Sequence, residues 1–239
     1  ETELTEQEMS ELLAAGITVL MVEWGMEKEI TKVKSFLDRA NSAGLKVVMD
    51  GGFTPAAWGY DYDAGFSNTQ LPVWQKEKVK AWVSYFKDHP AVFAWDISNE
   101  DGENLPNGAG NPLWPEKTSI TLAQLNEAHA TVREVDTSKP ILVRMHYWDE
   151  SPNPFAHGNW FAEGIADIVM LNIYTNYAED SKTLNIPNAI AEDGLRHIND
   201  VRKVDADPQI WIAVAAFAED LPGEAYFLRP SANDLSRDI

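Results

Sequence analysis

The chain has 239 residues and a formal net charge of −19, with 38 Asp and Glu residues against 19 Lys and Arg residues. Such an acidic surface would repel nucleic acids and anionic membranes, which are bound through basic patches. The sequence contains no cysteine, which excludes disulfides, thiolate catalysis and Cys-based zinc sites. It also lacks a run of about 18 apolar residues, so no membrane-spanning helix is predicted.

Helical and strand patterns alternate from the start of the chain. Thr5 and Glu8 have the spacing of a capping box, which predicts the first helix. An apolar strand follows, from about Ile17 to Val22. The second strand lies in GLKVVMDGGF and ends at Asp50. Between these strands, apolar residues three or four positions apart predict a second helix: Ile30, Val33, Leu37 and Ala40.

The middle of the chain repeats this alternation. The third helix ends at His89-Pro90 and is indicated by four apolar residues: Val79, Trp82, Val83 and Phe86. The third strand, AVFAWDISNE, is an apolar run that ends in Asn99 and Glu100. A polar loop rich in Gly, Pro and Asn comes next. The helix after it is capped by Thr121 and has four inward-facing residues: Leu122, Leu125, Ala128 and Val132.

Three more strands are predicted in the second half of the chain. They lie in PILVRMHYW, ADIVMLNIYTNY and PQIWIAVAAFAED. A helix that starts near Pro187 and turns Ile190, Ile198 and Val201 inward separates the last two strands. Ser231 is predicted to cap a final helix.

The pattern predicts an α/β fold. Strands that alternate with helices and are nearly continuous in apolar residues are typical of a parallel sheet buried on both faces. In a TIM (β/α)8-type barrel the active face is built from the loops after the strands. We therefore predict a single barrel domain over residues 1–239 with six identifiable strands. Polar, aromatic and acidic residues do follow the strands: Trp24, Asp50, Asn99, Glu100, His146, Tyr147, Trp148, Asn172, Tyr174, Glu219 and Asp220.

The stretch AVFAWDISNE resembles the fourth strand of the retaining glycoside hydrolases of the large (β/α)8 clan, which includes cellulases, mannanases and β-galactosidases. Strands of that clan typically end in Asn-Glu with a Trp a few residues earlier, here Trp95, Asn99 and Glu100. The lead-in KDHPAVFAW is similar to the one common before that strand, and LNIYTNY and PQIWIAVAAF are similar to the sixth and seventh strands. The resemblance covers most of the chain, from Ile17 to Phe217.

The resemblance implies that Glu100 is the general acid/base and that Asn99 binds a sugar 2-hydroxyl. The residues themselves also favour this role for Glu100. Glycosidic bond cleavage needs an acid that keeps its proton near neutral pH, and the end of an apolar strand beside Trp95 is a partly desolvated place. The alternative for Glu100 is a solvated or helix-capping loop acid, since Asp101 and Glu103 follow closely.

Seven residues near strand ends are predicted to contact substrate: Trp24, Asp50, Trp95, His146, Tyr147, Trp148 and Tyr174. Tyr174 matches a clan Tyr that often contacts the nucleophile, while Asp50 could equally form a turn and His146 a loop. Indole rings are flat apolar platforms for sugars, although core packing is the alternative for each. Further rings that could stack on sugars are Trp58, Tyr60, Trp114 and Trp160.

The reaction also needs a second carboxylate. The clan carries a nucleophilic Glu on its seventh strand, but residues 213–216 are Ala-Val-Ala-Ala, with Ala215 at the matching position. Glu219 shares strand parity with Ala215 and is the predicted second carboxylate, against the alternative of a solvated turn. Asp50 and Glu23 are the other candidates.

The strand count is a second departure from the clan. The six predicted strands match the second to the seventh of a barrel, which leaves two open edges, and open edges are costly and prone to association. Three explanations remain at this point. The chain is a fragment, another chain covers the gap, or the fold completes itself differently.

The sequence thus predicts a glycoside hydrolase, an O-glycosyl hydrolase acting on a β-linked poly- or oligosaccharide in polysaccharide degradation. The alternative is an inactive carbohydrate-binding pseudo-glycosidase or a nucleophile-deleted variant. We expect no cofactor, no metal site, no nucleic-acid or membrane partner, and homo-oligomers through the open barrel edges. No signal peptide is visible, but the chain begins at Glu1 without a Met, so we expect a missing upstream segment and an extracellular or periplasmic bacterial location.

Overall fold

The computed structural model describes residues 4–22, 30–50, 73–97, 122–146, 161–173, 177–178, 194–214, 219–220 and 226–227. The chain divides into two compact units. Unit 1 comprises residues 1–99 and 120–143, and unit 2 comprises residues 100–119 and 144–239. Among the helices within the described ranges, none is both long enough and apolar enough to cross a membrane. The single domain over residues 1–239 stays a prediction.

Unit 1 alternates strands and helices. Its helices are α1 (Glu6–Ala14), α2 (Ile30–Ala43), α3 (Val73–Phe86) and α4 (Leu122–Arg133). Its strands are β1 (Val19–Val22), β2 (Lys46–Asp50), β3 (Val92–Asp96) and the first half of β4 (Ile141–His146). These strands are parallel neighbours in the order β1-β2-β3-β4.

Unit 2 contains the end of β4, the last two strands of the six-stranded sheet and a small antiparallel sheet. β5 (Ile168–Ile173) and β7 (Gln209–Val214) pair in parallel over their full lengths, and α5 (Leu195–Val204) precedes β7. Three two-residue strands, β6 (Tyr177–Ala178), β8 (Glu219–Asp220) and β9 (Tyr226–Phe227), form a separate antiparallel sheet in the order β6-β9-β8.

The α/β prediction is confirmed. All six predicted strands are present, they run parallel, and helices alternate with them as in (β/α)8-type barrels. Two residue pairs at the predicted strand ends lie in another sheet. Tyr177, predicted at the end of β5, and Glu219–Asp220, predicted at the end of β7, belong to the antiparallel sheet. The antiparallel sheet was not predicted, because two-residue strands leave no periodic pattern.

The helices form where the apolar spacing indicated. The capping box of α1 is present: the Thr5 hydroxyl accepts from the Glu8 backbone N–H at 3.2 Å, and the Glu8 carboxylate accepts from the Thr5 backbone N–H at 2.7 Å. The apolar faces of α2, α3 and α4 are buried at Val33, Leu37, Ala40, Val79, Trp82, Val83, Phe86, Leu125, Ala128 and Val132. Two predicted members of these faces are not buried: Ile30 is 41% exposed and Leu122 is half-buried, each as the first residue of its helix. The predicted start of the fifth helix near Pro187, Ile190, and the caps Thr121 and Ser231 lie outside the described residues.

One helix-to-strand turn occurs twice, with the sequence Val-Arg-x-Val-Asp. In the first copy, Asp136 follows α4, and its backbone N–H donates to Val132 O at 2.8 Å. In the second, Asp205 follows α5, and its N–H donates to Val201 O at 2.8 Å. Each aspartate is buried, and its carboxylate accepts a backbone N–H two residues further on. The buried carboxylate therefore closes the turn, as in an Asx-turn.

Candidate functional site

In unit 1 the carboxyl ends of β2 and β3 lie level with each other. Met49 is the register partner of Trp95, and Asp50 is the partner of Asp96. Two acidic residues therefore occupy adjacent strand ends, at the edge where α/β proteins bind ligands. The chain continues from Asp96 through Ile97 to the predicted site residues Asn99 and Glu100, which lie outside the described residues.

Asp96 is a functional candidate that the sequence analysis missed. Its side chain is only 1% exposed, between the fully buried residues Trp95 and Ile97. Taking a carboxylate out of water is costly, so a buried Asp at a strand end indicates a specific role. The sequence signal for Asp96 is that it is the one acid inside the apolar run from Val92 to Ile97.

Trp95 is fully buried, with 0% of its surface exposed. Its indole Nε1–H donates to Asp136 Oδ2 at 2.8 Å, in the turn between α4 and β4. A ring without exposed surface offers no face to a sugar. Among the described residues Trp95 therefore has a packing and hydrogen-bonding role, and its contact with substrate stays a prediction.

The carboxylate of Asp136 is surrounded by hydrogen-bond donors. Besides the indole of Trp95, it accepts from the Ser138 backbone N–H at 2.8 Å, the Ser138 hydroxyl at 2.7 Å and the Lys139 N–H at 3.2 Å. Burial raises the pKa of Asp136, but the hydrogen bonds from Trp95, Ser138 and Lys139 outweigh it and hold this pKa below its usual value. Arg133 supports the turn by donating to the Lys139 carbonyl at 2.7 Å.

In unit 2, β5 and β7 also end level. Asn172 is the register partner of Ala213, and Ile173 is the partner of Val214. None of the six residues of β7, Gln209–Val214, carries a carboxylate. Ala215, the position that matches the clan nucleophile, and Tyr174, which directly follows β5, lie outside the described residues.

Glu219, the predicted second carboxylate, lies in β8 of the antiparallel sheet, not in the sheet that contains β7. Its register partner is Phe227, which in turn pairs with Tyr177. Strand parity with Ala215 was the reason for choosing Glu219. Residues 215–218, which link β7 to β8, lie outside the described residues, so Glu219 as the second carboxylate stays a prediction. Four residues separate β7 from β8, so Glu219 still lies within about 18 Å of Val214.

β4 carries two site-related residues in unit 2. His146, predicted to bind substrate, is the last residue of β4. Arg144 is 4% exposed, and the sequence analysis did not single it out. A buried guanidinium near a strand end is a candidate for orienting a carboxylate or a sugar hydroxyl.

The other predicted site residues lie outside the described residues: Trp24, Tyr147 and Trp148, with the lesser candidates Glu23, Trp58, Tyr60, Trp114 and Trp160. Over the described part of the chain, there is no group of three or more His, Asp or Glu residues that could hold a metal ion. What the structure brings together is the pair of strand ends at Asp50 and Asp96 and the buried Trp95–Asp136 hydrogen bond beside them.

No protein-family model matches the chain, and no curated protein matches its sequence. Solved structures do match its fold. The β-galactosidase from the psychrophilic Marinomonas ef1 has a TM-score of 0.55 at 14% identity, over 90% of this chain and 47% of that one. Endo-glycoceramidase II from a Rhodococcus species has a TM-score of 0.53 at 15% identity, over 87% of this chain and 61% of that one.

The β-D-glucuronidase for Dictyoglomus thermophilum has a TM-score of 0.51 at 13% identity, over 91% of this chain and 34% of that one. The chain spans less than two thirds of each of these three proteins. At such low identity the comparisons establish the fold alone. The chain resembles the (β/α)8 domains of glycoside hydrolases in fold, and its activity is a separate question.

Proposed function

We propose that the chain is a glycoside hydrolase that cleaves β-linked poly- or oligosaccharides, with Glu100 as the general acid/base. The observation that carries the proposal is the level register of Asp50 and Asp96 at the carboxyl ends of β2 and β3. β3 is also the strand whose sequence resembles the acid/base strand of the clan. Asn99 and Glu100 follow Asp96 by three and four residues, so the chain leads directly from this acidic strand end to them.

Glycosidic bond cleavage requires carboxyl groups close to the bond that breaks, and the carboxyl-terminal edge of the sheet carries such groups. The transition state is an oxocarbenium-like cation, so one carboxyl must protonate the leaving oxygen while ionised carboxylates stabilise or attack the sugar. Glu219, Asp50 and Glu23 are the proposed sources of the second carboxylate. Asn99 is proposed to bind the 2-hydroxyl, and the proposed substrate contacts are Trp24, His146, Tyr147, Trp148 and Tyr174.

The decisive experiment is the release of reducing ends from β-glucans, xylans, mannans and galactans by the parent, Glu100→Gln and Glu103→Gln. Glu103 lies three residues further along the same acidic stretch and is the matched control. We expect the parent and Glu103→Gln to release sugar and Glu100→Gln to lose roughly 10²- to 10⁴-fold in rate. Equal activity in all three proteins would show that Glu100 takes no part in the reaction.

A carbohydrate-binding pseudo-glycosidase, or a nucleophile-deleted variant, is the second candidate. It is favoured by one observation: β7 carries no carboxylate from Gln209 to Val214, and Glu219 lies in another sheet. Azide or formate can replace a missing carboxylate. Glycan cleavage that requires added azide would indicate a deleted nucleophile, whereas glycan binding measured by calorimetry without any cleavage would indicate a binding protein.

Association through a sheet edge is also proposed. Among the described residues β1 pairs only with β2, and Val19, Leu20 and Met21 are all half-buried while Ile17 is 41% exposed. An apolar edge strand favours pairing with another chain. Sedimentation equilibrium of the parent and Leu20→Glu tests this proposal, since only the parent is expected to form oligomers.

An extracellular or periplasmic location is proposed for a practical reason. Polymeric glycans do not cross membranes unaided, so an enzyme for them works outside the cytoplasm. Fractionation of the source cells with an antibody against the chain would test the location.

A further inference from the structure

We propose that two copies of the chain pack α1 of one protomer against α5 of its partner, with the two helices antiparallel. The inference rests on the association through the sheet edge proposed above and adds a second contact surface to it. It does not depend on glycosidase activity.

The two helices carry opposite charge on a chain whose net charge is −19. α1 contains three Glu residues and no base. α5 contains three bases, Arg196, Arg202 and Lys203, while its one acid, Asp200, is buried. The outer face of α5 is therefore basic, and a basic face attracts the acidic surface of another copy.

Each helix also exposes one large apolar side chain. Leu195 of α5 is 60% exposed, the largest value among the large apolar residues that the structure describes, and Leu13 of α1 is 37% exposed. A single exposed leucine is ordinary on a protein surface. Its meaning therefore depends on what lies beside it on the same face of the helix.

In each helix a charged residue lies seven positions from the exposed leucine. Glu6 precedes Leu13 in α1, and Arg202 follows Leu195 in α5. Seven residues make nearly two turns, so each pair shares one face of its helix and is separated by about 10.5 Å along the axis. Glu6 and Arg202 are exposed, like the two leucines.

The order of charge and leucine is reversed between the two helices, because the charge comes first in α1 and the leucine comes first in α5. Antiparallel packing therefore brings Leu13 onto Leu195 and Glu6 onto Arg202 at the same time. Parallel packing would set each leucine against a charge. The antiparallel arrangement also places opposite ends of the two helix dipoles side by side, which is the favourable alignment.

Arg202 can make this contact and keep the one it already has. One of its N–H groups donates to the Ala206 carbonyl just after α5. A guanidinium carries several further donors in a planar fork that matches a carboxylate. Glu6 therefore meets a base with donors to spare.

The helix contact is continuous along the chain with the edges of the sheet. α1 leads through Ile17, which is 41% exposed, into β1, and α5 leads into β7; these are the two outer strands in the order of the six-stranded sheet. Two helical turns alone are too small for a stable interface, since specific interfaces bury about 1,200 Å² or more. The helices and the sheet edge therefore form one interface, and loss of either part should weaken it.

The test is sedimentation equilibrium of the parent, Glu6→Arg, Arg202→Glu and the double variant, after circular dichroism has shown that each is folded. Each single variant should associate about tenfold or more weakly than the parent, because like charges then face each other. The two single variants change the net charge in opposite directions, so general repulsion between acidic chains cannot weaken both.

The double variant exchanges the two charges and restores the pairing, so it should associate within about threefold of the parent. Asp88→Arg is the matched control, because it makes the same charge change as Glu6→Arg at an exposed residue outside both helices. It should also stay within about threefold of the parent. An equimolar mixture of the two single variants should associate more tightly than either variant alone.

Two results would overturn the helix pairing: single variants that associate as tightly as the parent, or a double variant as weak as the single variants. If the parent associates and only Leu20→Glu prevents it, the sheet edge forms the interface and the helices do not. A parent that stays monomeric at every concentration overturns both contacts. None of these outcomes bears on the release of sugar, which is measured separately.

Discussion

The carboxylate of Asp205 accepts a hydrogen bond at 2.8 Å from the backbone N–H of Gly164, which lies 41 residues earlier in the chain. The bond ties the turn before β7 to the loop before β5. Gly164 has a φ of +77°, a conformation that glycine adopts without the strain that other residues incur. Asp205 is only 4% exposed, so water cannot readily replace its carboxylate.

Asp205→Ala is expected to lower the free energy of unfolding by about 1–3 kcal/mol, because two backbone N–H groups lose their buried acceptor. Urea unfolding followed by fluorescence measures the change. Asp207→Ala is the control, since the side chain of Asp207 is exposed and the bond to Asp205 uses only its backbone. A control that destabilises as much as Asp205→Ala would contradict the assignment.

Acid should weaken unit 1 through Asp136. Burial raises the pKa of Asp136, but the hydrogen bonds from Trp95, Ser138 and Lys139 together lower this pKa by more than burial raises it. The folded-state pKa therefore lies below the ordinary value of 3.8. The unfolded chain therefore binds a proton first as the pH falls. The stability contributed by Asp136 is complete above about pH 4 and is lost as the pH falls below that value towards the folded-state pKa.

Urea unfolding of the parent and Asp136→Asn over a series of pH values from 7 to 2 would measure this loss. The other carboxylates titrate in both proteins, so the difference between the two curves isolates Asp136. The difference should be largest near neutral pH and should shrink in acid. A difference that is independent of pH would show that the charge of Asp136 is not what stabilises the turn.

The capping box of α1 should depend on both of its partners. Thr5→Ala removes the hydroxyl that accepts from the Glu8 N–H, and it should cost about 1 kcal/mol, whereas Thr5→Ser should cost much less. The bonds from the backbone N–H and then the hydroxyl of Thr5 lower the pKa of Glu8. The cap is therefore strongest above the ordinary pKa of Glu8 and weakens as the pH falls through its lowered value. Amide exchange in α1 reports this directly.

Two leucines in helices give a test of the core. Leu37 of α2 is 0% exposed, and Leu195 of α5 is 60% exposed. Leu37→Ala should cost about 2–5 kcal/mol, since it removes buried surface and leaves a cavity. Leu195→Ala should change stability by less than about 0.5 kcal/mol. Thermal unfolding of both variants would check the burial, and equal costs would contradict the assigned faces of the two helices.

The sequence by itself determined the α/β class, the six parallel strands and the buried faces of α2, α3 and α4. These features depend on which residues are apolar and how they are spaced, and that spacing is a local property of the chain. The capping box of Thr5 and Glu8 was predictable for the same reason, because its partners are three residues apart.

Only the tertiary structure decided which distant residues meet. The register shift between β2 and β3 at Val47 and Val48, the bond between Trp95 and Asp136, and the level ends at Asp50 and Asp96 each join segments about 40 residues or more apart. Register depends on the packing of a whole strand against its neighbour, which no local spacing records. For the same reason the sequence suggested that Trp95 faced a sugar and that Glu219 continued β7, whereas the fold buries the first and pairs the second in another sheet.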